Sequence, residues 1–357
     1  MSNALGYTIT ALSIVAILTL FIVKEIFRFK KIHPLASDIM SWAIVFIPVI
    51  LMALIDKWRW DENYLNKIGG TTNAEEALVF SPFHIVSIIL MVVISVYVVV
   101  RILKVDRYDE NKYLWNTLNR GDYTMFKIGC LLFLIEIYKQ ISFLTLFKGY
   151  QWYGFPYQFC SSPLYILLIA PFIKNEKVKN AFYSFTGIFV LVAALSVMVT
   201  GQGIFTSWVS ISIHTMIWHG LMVVAGVYIA FYQRVYKSIK NYLAAITVLL
   251  GLIVLAQILN IIFHYADPSG TKSGSVDLFF ISPFQQNTNM PVLSDWRIAL
   301  QNNLGLTLAG ILFTLIYLAV FSFGGLLIWA IEFGIYQLVT LLSGRPKNGI
   351  KQKEEVA

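Results

Sequence analysis

The side chains best suited to chemistry in this chain lie inside or beside long apolar stretches. Cys160, His214 and His219 fall in such stretches, and Glu136 and Lys139 lie together in another. A thiol becomes a nucleophile when a nearby imidazole accepts its proton and stabilises the thiolate. Because ionisable groups in hydrocarbon are costly and usually face a protected interior, these five residues are candidates for a functional site.

Each candidate also has a purely structural interpretation. A lone cysteine is more often a small buried apolar side chain than a nucleophile. Glu136 and Lys139 are three residues apart, so on a helix they are neighbours and can form an ion pair that lowers the cost of inserting two charges. His214 and His219 are five apart, about 140° around a helix, so we expect them not to share one face. That spacing disfavours a zinc site, and no metal or other cofactor is predicted.

The composition indicates a membrane protein. Hydrophobic residues make up 58% of the 357 residues and charged residues 13%, whereas soluble domains carry about 25% charged residues. Apolar stretches of about 20 residues recur, which is the length that a helix needs to cross the hydrocarbon layer. We therefore predict an all-α polytopic membrane protein, multi-pass in the cell (plasma) membrane.

The apolar stretches predict about nine transmembrane helices. They lie near residues 5–23, 39–55, 82–100, 124–147, 157–173, 181–200, 207–232, 241–265 and 303–323. The apolar pattern then continues past Gly324 and Gly325, where a long helix can bend, to about Leu342. We predict that 326–342 is an interfacial continuation, and a tenth span is the alternative.

The distribution of basic residues gives the orientation. Of the 27 lysines and arginines, 19 fall in the tail and in the loops after the first, third, fifth and seventh spans, and six fall on the opposite side. Cytoplasmic loops carry such an excess, so we predict an external N-terminus and a cytoplasmic C-terminus. The net charge of +8 therefore reflects the membrane topology, and the basic residues attract anionic lipid headgroups. No nucleic-acid partner is predicted.

The polarity within the spans divides the chain into three parts. Residues 1–79 form an accessory region with two helices and almost no polar residues within them, and 80–325 form a seven-helix core. Residues 326–357 form the interfacial segment and the basic cytoplasmic tail. The orientation places the candidate residues in the outer half of the core, where further polar residues come from other spans. This expected polar shell consists of Glu136, Lys139, Gln158, His84, Asn260 and His264.

Four short motifs in the core carry a family resemblance. They are Phe80-Ser81-Pro82-Phe83-His84, Glu136, Phe155-Pro156-Tyr157-Gln158-Phe159-Cys160 and Ile217-Trp218-His219-Gly220. In their order and spacing they resemble the YwaF-type bacterial integral membrane proteins, which are related to the transmembrane protein 164 family and more distantly to the androgen-induced gene 1 proteins. The resemblance extends from about residue 80 to about residue 320.

The resemblance implies a seven-helix core with a lipid-directed active site. The transmembrane protein 164 branch is regarded as an acyltransferase that remodels phospholipids through a cysteine and a histidine, which match Cys160 and His219 here. The androgen-induced gene 1 proteins hydrolyse fatty-acid esters. The implied function is a membrane-embedded lipid-acyl enzyme, either an acyltransferase or an ester hydrolase, acting on membrane phospholipids or lysolipids.

Two points stay open at the level of sequence. Helical rise places Cys160 about two turns nearer the surface than His219, so depth favours His214 as its partner and the resemblance favours His219. A polar pocket open to the outer face would also suit a small-solute transporter or binding subunit, and the polar residues could instead only join helices. The sequence does not indicate the oligomeric state.

Overall fold

The computed structural model describes residues 79–342 with gaps at 115, 147–149, 151, 202–203, 206–208, 268–275 and 286–292, together with short pieces between residues 15 and 50. Most of these described residues are helical, and they form no β-sheet beyond one isolated bridge. The predicted all-α class is therefore confirmed. Most of the predicted accessory region 1–79, and the tail after residue 342, lie outside the described residues.

The described helices follow one another along the core. They are α1 (Pro82–Lys104), α2 (Arg120–Leu146), α3 (Ser162–Ile169), α4 (Glu176–Phe185), α5 (Leu191–Thr200), α6 (Val209–Gln233), α7 (Ile239–Ala266), α8 (Leu293–Leu304) and α9 (Leu306–Leu342). A π-helical turn at Thr186–Val190 joins α4 to α5. Among the described residues, five helical segments are long and apolar enough to cross a membrane, which supports a multi-pass membrane location.

Short polar residues begin several of these helices. The Ser81 hydroxyl accepts the backbone N–H of His84, and Pro82 occupies the first turn of α1. The Asn175 and Ser238 side chains accept backbone N–H groups at the starts of α4 and α7. These side chains satisfy donors that the first helical turn leaves without partners, so the sequence itself fixes where the helices start.

The interior of the core is built from α4, α5 and α6. In the apolar stretches of Glu176–Thr200 and Ile211–Gln233, 61% of the residues are buried, against 11% in Pro82–Tyr108. Helices α1, α7 and α9 carry many exposed apolar side chains, as expected for helices that face lipid. Helix α6 packs against both α1 and α2, and it is therefore the central element of the site described below.

The predicted span 157–173 is shorter in the structure than a membrane-crossing helix. Its helical part, Phe159–Phe172, consists of α3 between two 3-10 turns and is about 20 Å long at 1.5 Å per residue. Helix α9 shows the opposite behaviour, since it continues through Gly324 and Gly325 without interruption to Leu342. The interfacial placement of 326–342 stays a prediction.

Candidate functional site

Four of the predicted site residues line one cavity. The cavity has a volume of about 230 Å³ and lies between α2, the turn before α3, and α6. Cys160, His214, His219 and Lys139 all contribute to its wall. The remaining polar lining comes from Ser161, Thr215 and Trp218, and Tyr153, which is 53% exposed, lies at its edge. A thiol, two imidazoles and an ammonium group therefore face the same small space.

A short turn before α3 carries Cys160 and is hydrogen-bonded to α6. Cys160 lies in the 3-10 turn Phe159–Ser161, and α3 begins only at Ser162 with Pro163 in its first turn. The indole Nε1 of Trp218 donates a hydrogen bond to the Cys160 carbonyl oxygen at 2.9 Å. This bond joins the turn that carries Cys160 to α6 one residue before His219, and the depth difference between Cys160 and His219 stays a prediction.

Gly129 allows α2 and α3 to approach each other closely. A Cβ atom at Gly129 on α2 would lie 2.8 Å from the carbonyl carbon of Leu167 on α3, which is too close for any side chain. The backbones of α2 and α3 therefore pack directly against each other. This contact holds α3, which follows the turn that carries Cys160, against the helix that carries Lys139.

The lining residues of α6 form one wide stripe. Ile211, His214, Thr215, Trp218 and His219 all line the cavity, and their spacing of three, four, seven and eight residues is that of one helix face. His214 and His219 are the two edges of this stripe. The expectation that they would not share one face is therefore wrong, because the cavity wraps around the helix by about 140°.

A backbone hydrogen bond orients the His219 ring. Its Nδ1 lies 2.8 Å from the carbonyl oxygen of Thr215, one turn earlier on α6. Because a carbonyl oxygen only accepts, Nδ1 carries the ring proton when the imidazole is neutral. Nε2 then has its lone pair available, which is the state that a general base needs.

His214 is held differently. Its ring stacks on the Trp218 ring with the centroids 5.4 Å apart, and His214 is 5% exposed. Its Nε2 is buried and has no hydrogen-bond partner within the described part of the chain. His214 therefore lines the cavity through its ring, but no backbone group fixes its tautomer as Thr215 does for His219.

Glu136 and Lys139 form an ion pair on α2 at the same cavity. The Lys139 Nζ lies 2.8 Å from Glu136 Oε1 and 5.9 Å from the centre of the Trp218 ring. The same carboxylate oxygen accepts a hydrogen bond of 2.6 Å from Gln140, which also donates to the Gly154 carbonyl. The carboxylate is thus fixed behind the ammonium group, and only Lys139 of the pair lines the cavity.

Gln158 and Asn260 lie in a separate cluster. Gln158 donates to the Asp277 carbonyl at 3.0 Å and accepts the Phe279 N–H at 2.8 Å. Asn260 makes the same kind of pair with both backbone groups of Leu278, at 3.1 and 2.8 Å. Their amides are occupied in holding the segment after α7, so the structure does not bring them to the cavity.

His84 and His264 also lie away from the cavity. His84 is fully buried, with Nδ1 accepting the Phe80 N–H at 3.0 Å and Nε2 2.7 Å from the Met198 carbonyl. It ties the start of α1 to the end of α5. His264 stacks on Phe284 with ring centres 3.8 Å apart. The residues of the expected polar shell are thus split into several local clusters.

Trp218 and Thr215 are the site residues that the sequence did not single out. Trp218 belongs to the motif Ile217-Trp218-His219-Gly220, but its contacts with Cys160, His214 and Lys139 depend on how three elements pack. Thr215 acts through its backbone carbonyl, which any residue provides. Among the described residues, no group of three or more His, Cys, Asp or Glu side chains is arranged to hold a metal ion.

The cavity lies within the part of the chain that matches a known protein family. A model of the TMEM164 family matches residues 79–331, which include every residue that lines the cavity. No curated protein and no solved structure shows a significant match to the chain.

Proposed function

Because this chain belongs to the TMEM164 family and places a cysteine beside two histidines in one cavity, we propose that it is a membrane-embedded lipid-acyl enzyme. Cys160 is the nucleophile and His219 is the general base. The observation that carries the proposal is that these residues share one cavity. The His219 Nδ1–H donates to the Thr215 carbonyl oxygen, so Nε2 carries the lone pair that can accept a proton. The further resemblance to the YwaF-type bacterial proteins stays a prediction.

The first half of the reaction forms a thioester. His219 Nε2 takes the proton of the Cys160 thiol, and the thiolate attacks the carbonyl carbon of a lipid ester. The bond between this carbon and the ester oxygen breaks, and the imidazolium returns the proton to the departing alcohol oxygen. The lipid leaves with one acyl chain fewer, and this acyl chain is bound to Cys160.

The second half releases the acyl chain. An acceptor hydroxyl group gives its proton to His219 and attacks the thioester carbonyl, and the carbon–sulfur bond breaks. The imidazolium then returns its proton to the Cys160 thiolate. With a lysolipid hydroxyl as acceptor the enzyme is an acyltransferase, and with water it is an ester hydrolase.

The proposal includes the arrangement in the membrane. Nine spans, an external N-terminus and a cytoplasmic C-terminus in the plasma membrane would place the cavity in the outer half of the bilayer. The 19-to-6 division of basic residues supports this orientation. Reporter fusions before Ala4 and after Ser343 test it: an external reporter activity at the C-terminal position would contradict both the orientation and the leaflet.

The two cysteines provide a matched test of the nucleophile. Cys130, on α2, is partly buried like Cys160 but does not line the cavity. We expect Cys160→Ala to lower acyl transfer by at least about a thousandfold and Cys130→Ala to leave it nearly unchanged. Intact-mass spectrometry of purified protein with phospholipid should show one acyl adduct, which Cys160→Ala removes. Full acyl transfer by Cys160→Ala would contradict Cys160 as the nucleophile. Absence of acyl transfer in the unmodified protein, together with solute uptake that survives the substitution, would favour a transporter.

A further inference from the structure

Lys139 presents an ammonium group inside the cavity that contains Cys160. Of the described residues that line the cavity, it is the one with a permanent charge. Its side chain is 16% exposed, whereas the Glu136 side chain behind it is 5% exposed and does not reach the cavity. A group that enters the cavity therefore meets the cation and not the carboxylate.

The ammonium group has donors to spare. It carries three N–H groups, and Glu136 Oε1 is its one anionic partner among the described residues. Unpaired charged donors in a low-dielectric space are costly, so the remaining N–H groups favour an acceptor within the cavity. The most favourable acceptor is an anionic oxygen, because hydrogen bonds between two charged groups are the strongest.

The surroundings hold the ammonium group in a fixed position. Glu136 is itself held by Gln140, whose amide oxygen accepts the Tyr150 hydroxyl at 2.7 Å. The Trp218 ring lies on the other side of the ammonium group at 5.9 Å. Preorganised donors lose less entropy on binding than mobile surface lysines do. The geometry is thus that of a binding group as well as of a structural ion pair.

We propose that Lys139 binds the phosphate of the substrate's headgroup and so restricts the enzyme to phosphate-bearing lipids. This inference rests on the proposed function. In a glycerophospholipid the ester and the phosphate are attached to the same glycerol unit. A cavity of about 230 Å³ accommodates these reacting parts, while the acyl chains lie outside it. Lys139 therefore distinguishes phospholipids from acylglycerols, which have the same esters but no phosphate.

Protection of Cys160 from alkylation measures this binding without turnover. In a Cys130→Ala background, iodoacetamide reports on Cys160 alone, since the chain has two cysteines. The probes in detergent micelles are the alkyl-ether analogues of lysophosphatidylcholine and monoacylglycerol, which have no ester that could acylate Cys160, and inorganic phosphate. We expect the lysophospholipid to slow alkylation and Lys139→Gln to raise the concentration needed by about tenfold to a hundredfold. Lys139→Arg should retain most of the protection, and protection by monoacylglycerol should be the same in all variants.

A second lysine on the same helix is the matched control. Lys127 on α2 is 8% exposed and lies 4.4 Å from the centre of the Tyr123 ring, but it does not line the cavity. Lys127→Gln should leave lysophospholipid protection unchanged. If Lys139→Gln folds poorly because Glu136 is left unpaired, the variant Glu136→Gln/Lys139→Gln replaces the pair by two neutral amides of similar size and should lose protection in the same way.

Three results would overturn the inference. Unchanged lysophospholipid protection in the folded Lys139→Gln or double variant would leave Lys139 a structural residue only. An equal loss of monoacylglycerol protection in a variant that remains folded would mean that Lys139 supports the binding of any lipid and does not recognise the phosphate. Protection by inorganic phosphate as strong as that by lysophospholipid would assign the site to soluble phosphate. The assay needs no catalysis. Lys139-dependent protection together with turnover by Cys160→Ala would therefore contradict the proposed function but leave the inference about Lys139 in place.

Discussion

The indole N–H of Trp218 donates a 2.9 Å hydrogen bond to the backbone carbonyl of Cys160. This bond joins α6 to the turn before α3. The same indole ring stacks on His214 and lies 5.9 Å from the Lys139 ammonium. Trp218 therefore positions the thiol relative to both the imidazoles and the cation without itself reacting.

Removing only the indole donor should disturb the thiol. Trp218→Phe keeps an aromatic ring against His214 but deletes a hydrogen bond worth about 1 kcal/mol, so we expect acyl transfer to fall by roughly fivefold to tenfold. The loss should appear in kcat more than in KM, since the ring still fills its space. Trp42→Phe is the control, because Trp42 donates a similar 3.0 Å bond to Tyr123 away from the cavity. Equal losses in both variants would contradict a specific role for Trp218.

The two histidines should differ in their effect on the thiol. His219→Asn removes the ring whose Nε2 is free to accept a proton, and we expect acyl transfer to fall by about a hundredfold to ten-thousandfold. His214→Asn removes a ring that stacks on Trp218, and its loss should be about tenfold. The rate of acyl-adduct formation, followed by intact mass, measures both. The reverse order of effects would make His214 the base.

The conformation of the segment after α7 should depend on the hydrogen bonds of two side-chain amides, which we call the amide clamps. Gln158 and Asn260 each make two hydrogen bonds to residues 277–279, and Phe279 and Phe280 have φ of 57° and 58°, in the left-handed region. Bulky residues adopt that region only when their surroundings enforce it. Asn260→Leu should destabilise the fold by about 1–3 kcal/mol and open the segment to proteolysis. A melting temperature equal to that of the unmodified protein would refute the clamp.

The same segment should make stability depend on pH. Burial raises the pKa of Asp277 to about 6, and the Arg297 guanidinium 3.2 Å away offsets this only in part. A carboxyl with a raised pKa in the folded state binds its proton more tightly than in the unfolded state. Its contribution to stability is therefore complete below about pH 4 and is lost as the pH rises through about 6.

This pH dependence can be isolated with one substitution. Thermal unfolding in detergent, measured between pH 4 and 7, should show the unmodified protein losing up to about 3 kcal/mol relative to Asp277→Asn as the pH rises. Asp277→Asn has a neutral side chain of similar shape at every pH, so it removes the titration. Parallel pH profiles for the two proteins would show that the Arg297 ion pair fully offsets the burial of Asp277.

The sequence by itself determined the class of the protein and the positions of most helices. Ser81, Asn175 and Ser238 accept backbone N–H groups at the starts of α1, α4 and α7, and capping is a local interaction. The same patterns singled out Cys160, His214 and His219 as costly residues in an apolar environment. Neither result depends on how the helices pack.

Only the tertiary structure decided which of these residues meet. The Trp218 indole donates to the Cys160 carbonyl, and the backbones of α2 and α3 meet at Gly129. No local sequence pattern encodes such contacts between elements. Both histidines reach the cavity because its shape follows a wide stripe of α6. Gln158 and Asn260 are polar residues of the same apparent kind, yet backbone groups of a distant segment bind them. Periodicity gives the face of a helix, whereas rotation, depth and partners follow from packing.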